Sequence, residues 1–245
     1  MPEVARGDDV AELIAAALAG EQLRDSHVVA IAHKVVSKAE GAVVRLAEVV
    51  PSARARELAG ALKHQGSAKD PRAVQVVLDE STQVLRAERG VLICRTRHGF
   101  VCANAGVDAS NAPAAETLLL LPRDPDASAR RIRARLRELT GCAPAVLISD
   151  SFGRPWRHGQ VDVAIGLAGL RPLDDWRGRH DAAGLELAAT WLALSDAAAA
   201  TAELVRAKDS REPVVLVEGL QRYVTSADGP GAAALLRPSS EDLFA

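Results

Sequence analysis

Ser149-Asp150-Ser151-Phe152-Gly153-Arg154-Pro155-Trp156-Arg157-His158-Gly159-Gln160 follows an apolar run, residues 143–148, that reads as a buried strand. An Asp and a Ser therefore stand where that strand is expected to end, ahead of Gly-Arg-Pro and the Arg157-His158 pair. A carboxylate beside a hydroxyl is a hard-oxygen arrangement suited to Mg²⁺ or Mn²⁺. Arg154 and Arg157 carry the planar fork that grips phosphate or carboxylate at two points. The same residues also suit a plain turn with solvated charges, and a second stretch bears on the choice. Asn104-Ala105-Gly106-Val107-Asp108-Ala109-Ser110-Asn111 is a small-residue loop after a strand read over 99–103. Gly106 lets the backbone turn tightly or approach a ligand. Asp108 at one strand end and Asp150 at another can converge on one metal ion. Asp and Asn are also common turn formers, so spacing alone leaves both readings standing.

The flanking chain fills in around these two loops. Asp8-Asp9 ahead of Val10, Leu13, Ile14 and Leu18 predicts a capped amphipathic helix. Residues 27–32 read as a strand running into a polar patch of Lys34, Ser37, Lys38, Glu40 and Gly41. Two lysines and a serine there suit phosphate oxygens or a solvated strand end. Helices are expected over 52–65 and 71–80, with Pro71 in the first turn, and strands over 83–85, 91–95 and 118–121. Residues 122–125 read as a rigid turn, with Asp126 capping a helix whose arginines form a mostly solvated face. The apolar run 161–170 contains Asp162, a carboxylate that is either paired or functional, because burying it alone is costly. Residues 171–181 form a dense charged loop, suited to covering a charged substrate or to simple exposure. An Ala-rich helix over 185–206, a strand over 213–217 and a turn over 226–231 complete the pattern.

The 245 residues allow one large domain or two intertwined smaller ones. Hydrophobic residues at 48% and charged residues at 25% describe an ordinary globular chain. A formal net charge of -2 leaves no basic footprint, which argues against a nucleic-acid partner. The three cysteines have no CxxC spacing, and Cys94 and Cys102 fall in apolar runs that predict inert buried thiols. Residues 8–20 lack the continuous apolar run of a signal peptide, and no run reaches membrane-spanning length. The expectation is a cytoplasmic protein with no membrane partner.

Five segments in order carry a family resemblance: Val35-Val36-Ser37-Lys38-Ala39-Glu40-Gly41, then residues 105–111, then Leu121-Pro122-Arg123-Asp124-Pro125-Asp126-Ala127-Ser128, then 149–157 and 159–166. They resemble the coenzyme F(420)-0:gamma-glutamyl ligases, and the match extends over essentially the whole chain. The resemblance implies a GTP-dependent ligase that adds L-glutamate to the lactyl-phosphate side chain of coenzyme F(420)-0, extending a gamma-linked tail. It implies an α+β fold of mixed sheets and helices in two intertwined subdomains, a single ligase domain over 1–245 without the nitroreductase-like extension of some members. It further implies a homodimer, Mn²⁺ or Mg²⁺ as cofactor, and K⁺ as a further cation. Family metal ligands carry over onto Asp108, Asp150 and Ser151, and nucleotide contacts onto Pro2, Glu3, Val4, Ser37, Lys38 and Asn111.

The chemistry needs activation, because an amide does not form from a carboxylate at neutral pH. GTP would convert the acceptor carboxylate to an acyl phosphate, with Asp108 and Asp150 holding metal and Lys38 and Arg154 adding fixed positive charge. Three departures stand out. Ala42 replaces a basic residue usual after the Glu-Gly, so its link to the nucleotide is either missing or supplied by Arg45. Lys208 stands where many members carry a Glu or Gln metal ligand, and as a cation it suits phosphate instead. The family has a strand ahead of its Pro-containing first loop, whereas this sequence starts at Met1-Pro2, so either the true start lies upstream or that edge strand is missing and the nucleotide site is less enclosed. Two alternatives remain: a same-fold ligase for another carboxylate acceptor, and a nucleotide- or deazaflavin-binding protein without catalysis.

Overall fold

The computed structural model describes residues 1–18, 20–64, 67–206 and 210–242. In chain order the elements begin with α1 (Val10–Ala17), β1 (Val28–Ala32), α2 (His33–Glu40), β2 (Val43–Arg45) and α3 (Ala53–Ala61). Next come β3 (Lys63–His64), β4 (Ser67–Ala68), α4 (Pro71–Asp79), β5 (Ser81–Glu88), β6 (Val91–Thr96), β7 (Val101–Ala103) and β8 (Thr117–Leu119). The remainder is α5 (Pro125–Thr140), β9 (Ala145–Arg154), β10 (Arg157–Ala168), β11 (Asp174–Asp175), β12 (Trp191–Leu192), α6 (Leu194–Val205) and β13 (Val214–Val217). No helix among the described residues is long and apolar enough to cross a membrane.

A four-stranded mixed sheet, ordered β10-β9-β1-β13, carries the main core. β1 runs parallel to β9, while β10 and β13 pair antiparallel at the edges. Side chains alternate across a strand, and the sequence uses the alternation to feed two cores. Val29, Ile31, Val146 and Ile148 face Val10, Ile14, Ile132 and Leu136 of α1 and α5. Val28, Ala30, Leu147 and Ala164 face Leu194, Ala198 and Ala202 of α6. Small alanines on that helix let it lie close to the sheet. A separate β5-β6-β7 sheet packs on α3 and α4 through Ala55, Ala59, Val74, Leu92 and Cys94. The fold is α+β, as the resemblance implies.

Four local expectations change. The strand expected to stop at residue 148 continues through Arg154 and folds back as β10, so the central stretch is a long hairpin. The polar patch 33–40 is a helix, α2, closed by Gly41 with φ 69°. A side chain at Gly41 would also come within 2.8 Å of Arg6. The N-cap of α5 is Asp124, which accepts from Ala127 N; Asp126 instead accepts the N–H groups of Leu167 and Ala232. The Ala-rich helix starts at Leu194, because Trp191–Leu192 are drawn into a two-stranded ribbon with Asp174–Asp175.

Arg133, expected on the solvated face of α5, is 5% exposed. Its guanidinium donates to the carbonyls of Ala143, Pro144, Thr225 and Ser226 and to Asp228 Oδ1, fastening β9's lead-in to the C-terminal segment. Stripping donors from buried carbonyls costs about 1–3 kcal/mol each where water cannot replace them. Arg133→Met should therefore lower unfolding free energy by about 3 kcal/mol or more. Urea unfolding followed by circular dichroism measures this, and an unchanged midpoint would contradict the fastening role.

Candidate active site

β1 ends its pairing with β9 at Ala32↔Ser149, and the chain turns at once into α2. Asp150 and Ser151 are the next two residues of β9, beyond the reach of β1. The first turn of α2 lies against them. His33 Nε2 sits 3.3 Å from Asp150 Oδ1, a close contact without hydrogen-bond alignment. His33 Nδ1 meets Ser37 Oγ at 3.2 Å. The neighbouring Lys34 Nζ reaches Asp108 Oδ2 at 2.6 Å and also donates to the carbonyl and hydroxyl of Ser110. Two consecutive residues of one helix thus hold the two carboxylates that spacing alone left open.

Asp108 arrives by an unusual backbone route. Asn104, Ala105 and Gly106 all have positive φ, 50°, 54° and 73°. Left-handed non-glycine residues cost of order 1 kcal/mol or more each and persist where surroundings impose them. Here the Asn104 side chain accepts from Lys69 Nζ and Leu92 N, and a Cβ at Gly106 would strike Leu121 at 2.7 Å. The turn delivers Asp108 into a bridge with Leu119 of β8. Its carboxylate then accepts from Ser110 N, Ser110 Oγ and Lys34.

Burial pulls the Asp108 carboxyl upward, but Lys34 and the two Ser110 bonds outweigh it and hold it below the ordinary 3.8. A carboxylate lowered in this way stabilises the fold above its ordinary pKa, and the contribution disappears as pH falls through the lowered value. Behind Asp150, burial and then the Asp150 charge push the Cys102 thiol up to about 12. Burial raises Cys94 as well, which fits inert thiols in the core.

The donors have the chemistry of a hard divalent cation site. Asp108 and Asp150 retain 41% and 16% side-chain exposure, and each offers oxygen ligands. Among the described residues, no three His, Cys, Asp or Glu side chains converge, so waters and substrate oxygens would complete any coordination. Ser151 approaches from elsewhere. It follows Asp150 on an extended strand, so its side chain leaves on the opposite, α6-facing side. There Ser151 Oγ donates to Asp162 Oδ1 at 2.6 Å and Ser149 Oγ to Asp162 Oδ2 at 2.7 Å. Asp162, 4% exposed, is paired with Arg206.

The remaining expected residues divide. Lys38 meets Glu3 in an ion pair, which brings the N-terminal Pro2-Glu3-Val4 beside α2. Ser37 lies in the same helix, but its side chain is fully buried and its hydroxyl is engaged with His33. Asn111, at φ 57°, lies one residue after Ser110 on the exposed loop. Arg154 is at the hairpin tip, where its guanidinium donates to the carbonyls of His158 and Gly159, giving it a turn-holding role. Arg45, the candidate replacement at Ala42, is exposed and pairs with Glu48. Lys208 lies outside the described residues. Sequence reading missed His33, Glu203 and Arg206; the demand of Asp162 for a partner pointed to a cation without saying which.

Replacing Lys34 with Met removes the strongest contact lowering Asp108 while leaving its burial. Asp108 in Lys34→Met should titrate at a higher pH than in the wild type. Carboxyl-carbon NMR measures this, and an unmoved midpoint would show that Lys34 does not hold the carboxylate.

Residues 1–219 match the family model described as F420-0:Gamma-glutamyl ligase. A Coenzyme F420:L-glutamate ligase of Methanopyrus kandleri is 46% identical over 99% of this chain and 93% of its own length. Those of Methanothermobacter thermautotrophicus and Methanocaldococcus jannaschii are 44% and 40% identical, covering 100% and 91% of this chain and 95% and 86% of their own lengths. The chain belongs to the F420-0:gamma-glutamyl ligase family.

Proposed function

We propose that this chain is a GTP-dependent ligase that forms an amide between L-glutamate and the terminal carboxylate of coenzyme F(420)-0, beginning the gamma-glutamyl tail. The observation that carries the reading is that the first turn of α2 contacts both carboxylates, Asp150 through His33 and Asp108 through Lys34. That turn has no side-chain cap among the described residues, so its N–H groups and positive dipole end suit phosphate oxygens. The family description supports F420-0 as the acceptor, and the names of the relatives support L-glutamate as the amino acid.

Two steps balance the reaction. The acceptor carboxylate attacks the γ-phosphorus of GTP, forming an acyl phosphate and releasing GDP. The amine of glutamate then attacks the acyl carbon; phosphate leaves with its electron pair, and the amine proton passes to solvent. Asp108 and Asp150 would hold Mn²⁺ or Mg²⁺, which supplies neutralisation of charge on the phosphoryl group. Lys34 would give up Asp108 to that cation and turn its ammonium toward phosphate. Lys38, four residues on along the same helix face, would add a second fixed charge and exchange Glu3 for nucleotide oxygens. Residues 104–111 and the N-terminal segment would flank the nucleotide and hold its phosphates for attack, so that positioning supplies much of the rate.

Incubating the protein with F(420)-0, GTP, Mn²⁺ and L-glutamate should give a product heavier by one or more glutamyl units in mass spectrometry. An unchanged acceptor would sink the assignment, and equal product with ATP would remove the GTP dependence. Asp150→Asn should abolish product while leaving circular dichroism unchanged; wild-type turnover in that variant would remove Asp150 from the metal role.

A further inference from the structure

The N-terminal segment lies along α2, and one of its side chains has no part in the steps above. Val4 is buried in the main core and anchors the segment. Just before it, Glu3 meets Lys38. Just after it, residues 5–8 close into a turn: Ala5 N donates to Asp8 Oδ2 at 2.8 Å, and Asp8 N to the Ala5 carbonyl at 3.2 Å. Gly7 N donates to the carbonyl of Ala39 at 2.8 Å, which ties that turn to the last turn of α2. Arg6 is the second residue of the turn, and its stem lies across Gly41. A Cβ built on Gly41 would come within 2.8 Å of both Cδ and Nε of Arg6 and 3.1 Å of its Cγ. The glycine that closes α2 in the left-handed region therefore also leaves the space that the Arg6 stem fills.

An exposed arginine is ordinarily a solvated charge on a freely moving stem. Arg6 is exposed, yet its stem is confined against Gly41 between neighbours that are themselves tied down. Among the described residues no carboxylate pairs with it. Lys34 and Lys38 share one face of α2, four residues apart, and each must leave a carboxylate, Asp108 or Glu3, before it meets phosphate. Arg6 has none to leave. Gly41 is three residues past Lys38, about 4.5 Å farther along the helix axis. Lys34, Lys38 and Arg6 thus follow one another away from the two aspartates. A phosphate chain with its terminal phosphoryl group at those aspartates would meet the three cations in that order. Ala42 is the next residue, its Cα about 3.8 Å from that of Gly41. Arg6 therefore brings a cation to the end of α2 where Ala42 has none, while Arg45 is engaged with Glu48.

We propose that Arg6 is a phosphate-binding residue of the nucleotide site, gripping the phosphate nearest the nucleoside and supplying the charge that Ala42 lacks. This rests on the reading of this face of α2 as the nucleotide site. A guanidinium stays charged at every working pH, and its fork of N–H donors matches two phosphate oxygens at once. Confinement of the stem against Gly41 reduces the rotamer freedom lost when the guanidinium engages a ligand. A larger residue at 41 would displace that stem, so the glycine serves the helix end and the ligand contact together.

The test is isothermal titration calorimetry of the full chain with GTP and Mn²⁺, without acceptor or glutamate. Wild type, Arg6→Gln, Ala42→Arg and the double variant Arg6→Gln/Ala42→Arg are compared. Arg6→Gln should weaken GTP binding about tenfold, the loss of one charge-assisted contact, with an unchanged circular dichroism spectrum. The double variant should recover most of that loss, because it returns a cation to the same end of α2 from a different residue. A merely structural role for Arg6 would not be rescued from position 42. Wild-type GTP affinity in Arg6→Gln overturns the proposal, and so does a double variant that binds as weakly as Arg6→Gln. A wild-type chain that takes up no GTP overturns the nucleotide reading itself, a failure distinct from that of the rescue.

Discussion

β9 outruns the strand beside it. β1 pairs with β9 only as far as Ala32↔Ser149, and Asp150 through Arg154 continue with β10 alone. This unequal length depends on the abrupt turn from β1 into α2, made without an intervening loop. A parallel strand that stops early exposes a crevice at the carboxyl end of its neighbour, where ligands settle in open α/β sheets. In this mixed sheet Asp150, the uncapped start of α2 and the incoming Asp108 loop gather at that end of β9. The central hairpin is thus both half of the core and the wall of the candidate site.

The period of two along β9 sorts its residues by task. Val146 and Ile148 on one face and Ala145 and Leu147 on the other are core. Past the end of β1 the same alternation continues with polar residues, Asp150 toward α2 and Ser149 and Ser151 toward α6. Nothing about the backbone changes at this point; only the side chains do. Burial on both faces upstream makes a register slip costly, since a one-residue shift would exchange the two cores. The same constraint keeps Asp150 and Ser151 on their proper sides.

Much of this is legible in the sequence alone. Apolar runs identify β1, β6, β8, β9 and β13, and Pro71 and Asp9 mark two helix starts, because those signals are local. The resemblance singles out Asp108, Asp150 and Lys38, but no spacing in the sequence can show that Lys34 meets Asp108 or that His33 meets Asp150. Those contacts depend on how β1 and β9 pair across more than a hundred residues of chain. The α2 helix is hidden because its eight residues mix buried valines with charges, and it is held by packing rather than by propensity. Arg133 is hidden for a related reason. Its helical position looks like its arginine neighbours, and it is the carbonyls ahead of β9 and of the C-terminal segment that engage it.

The electrostatics of the site explain how it stays ready without a ligand. Two pairs of charges at the site hold one another: Lys34 with Asp108, and Lys38 with Glu3. Such pairs cost little to keep, since both partners retain some exposure, and little to exchange, because partly solvated ion pairs contribute about 1 kcal/mol or less. The Asp162–Arg206 pair is the opposite case. It is nearly dry and tied to Ser149 and Ser151, so removing either member strands a buried charge. The molecule thus keeps exchangeable charges on the crevice side of β9 and a fixed pair on the other. Binding can rearrange the first set while the second holds the strand, and with it Asp150, in place.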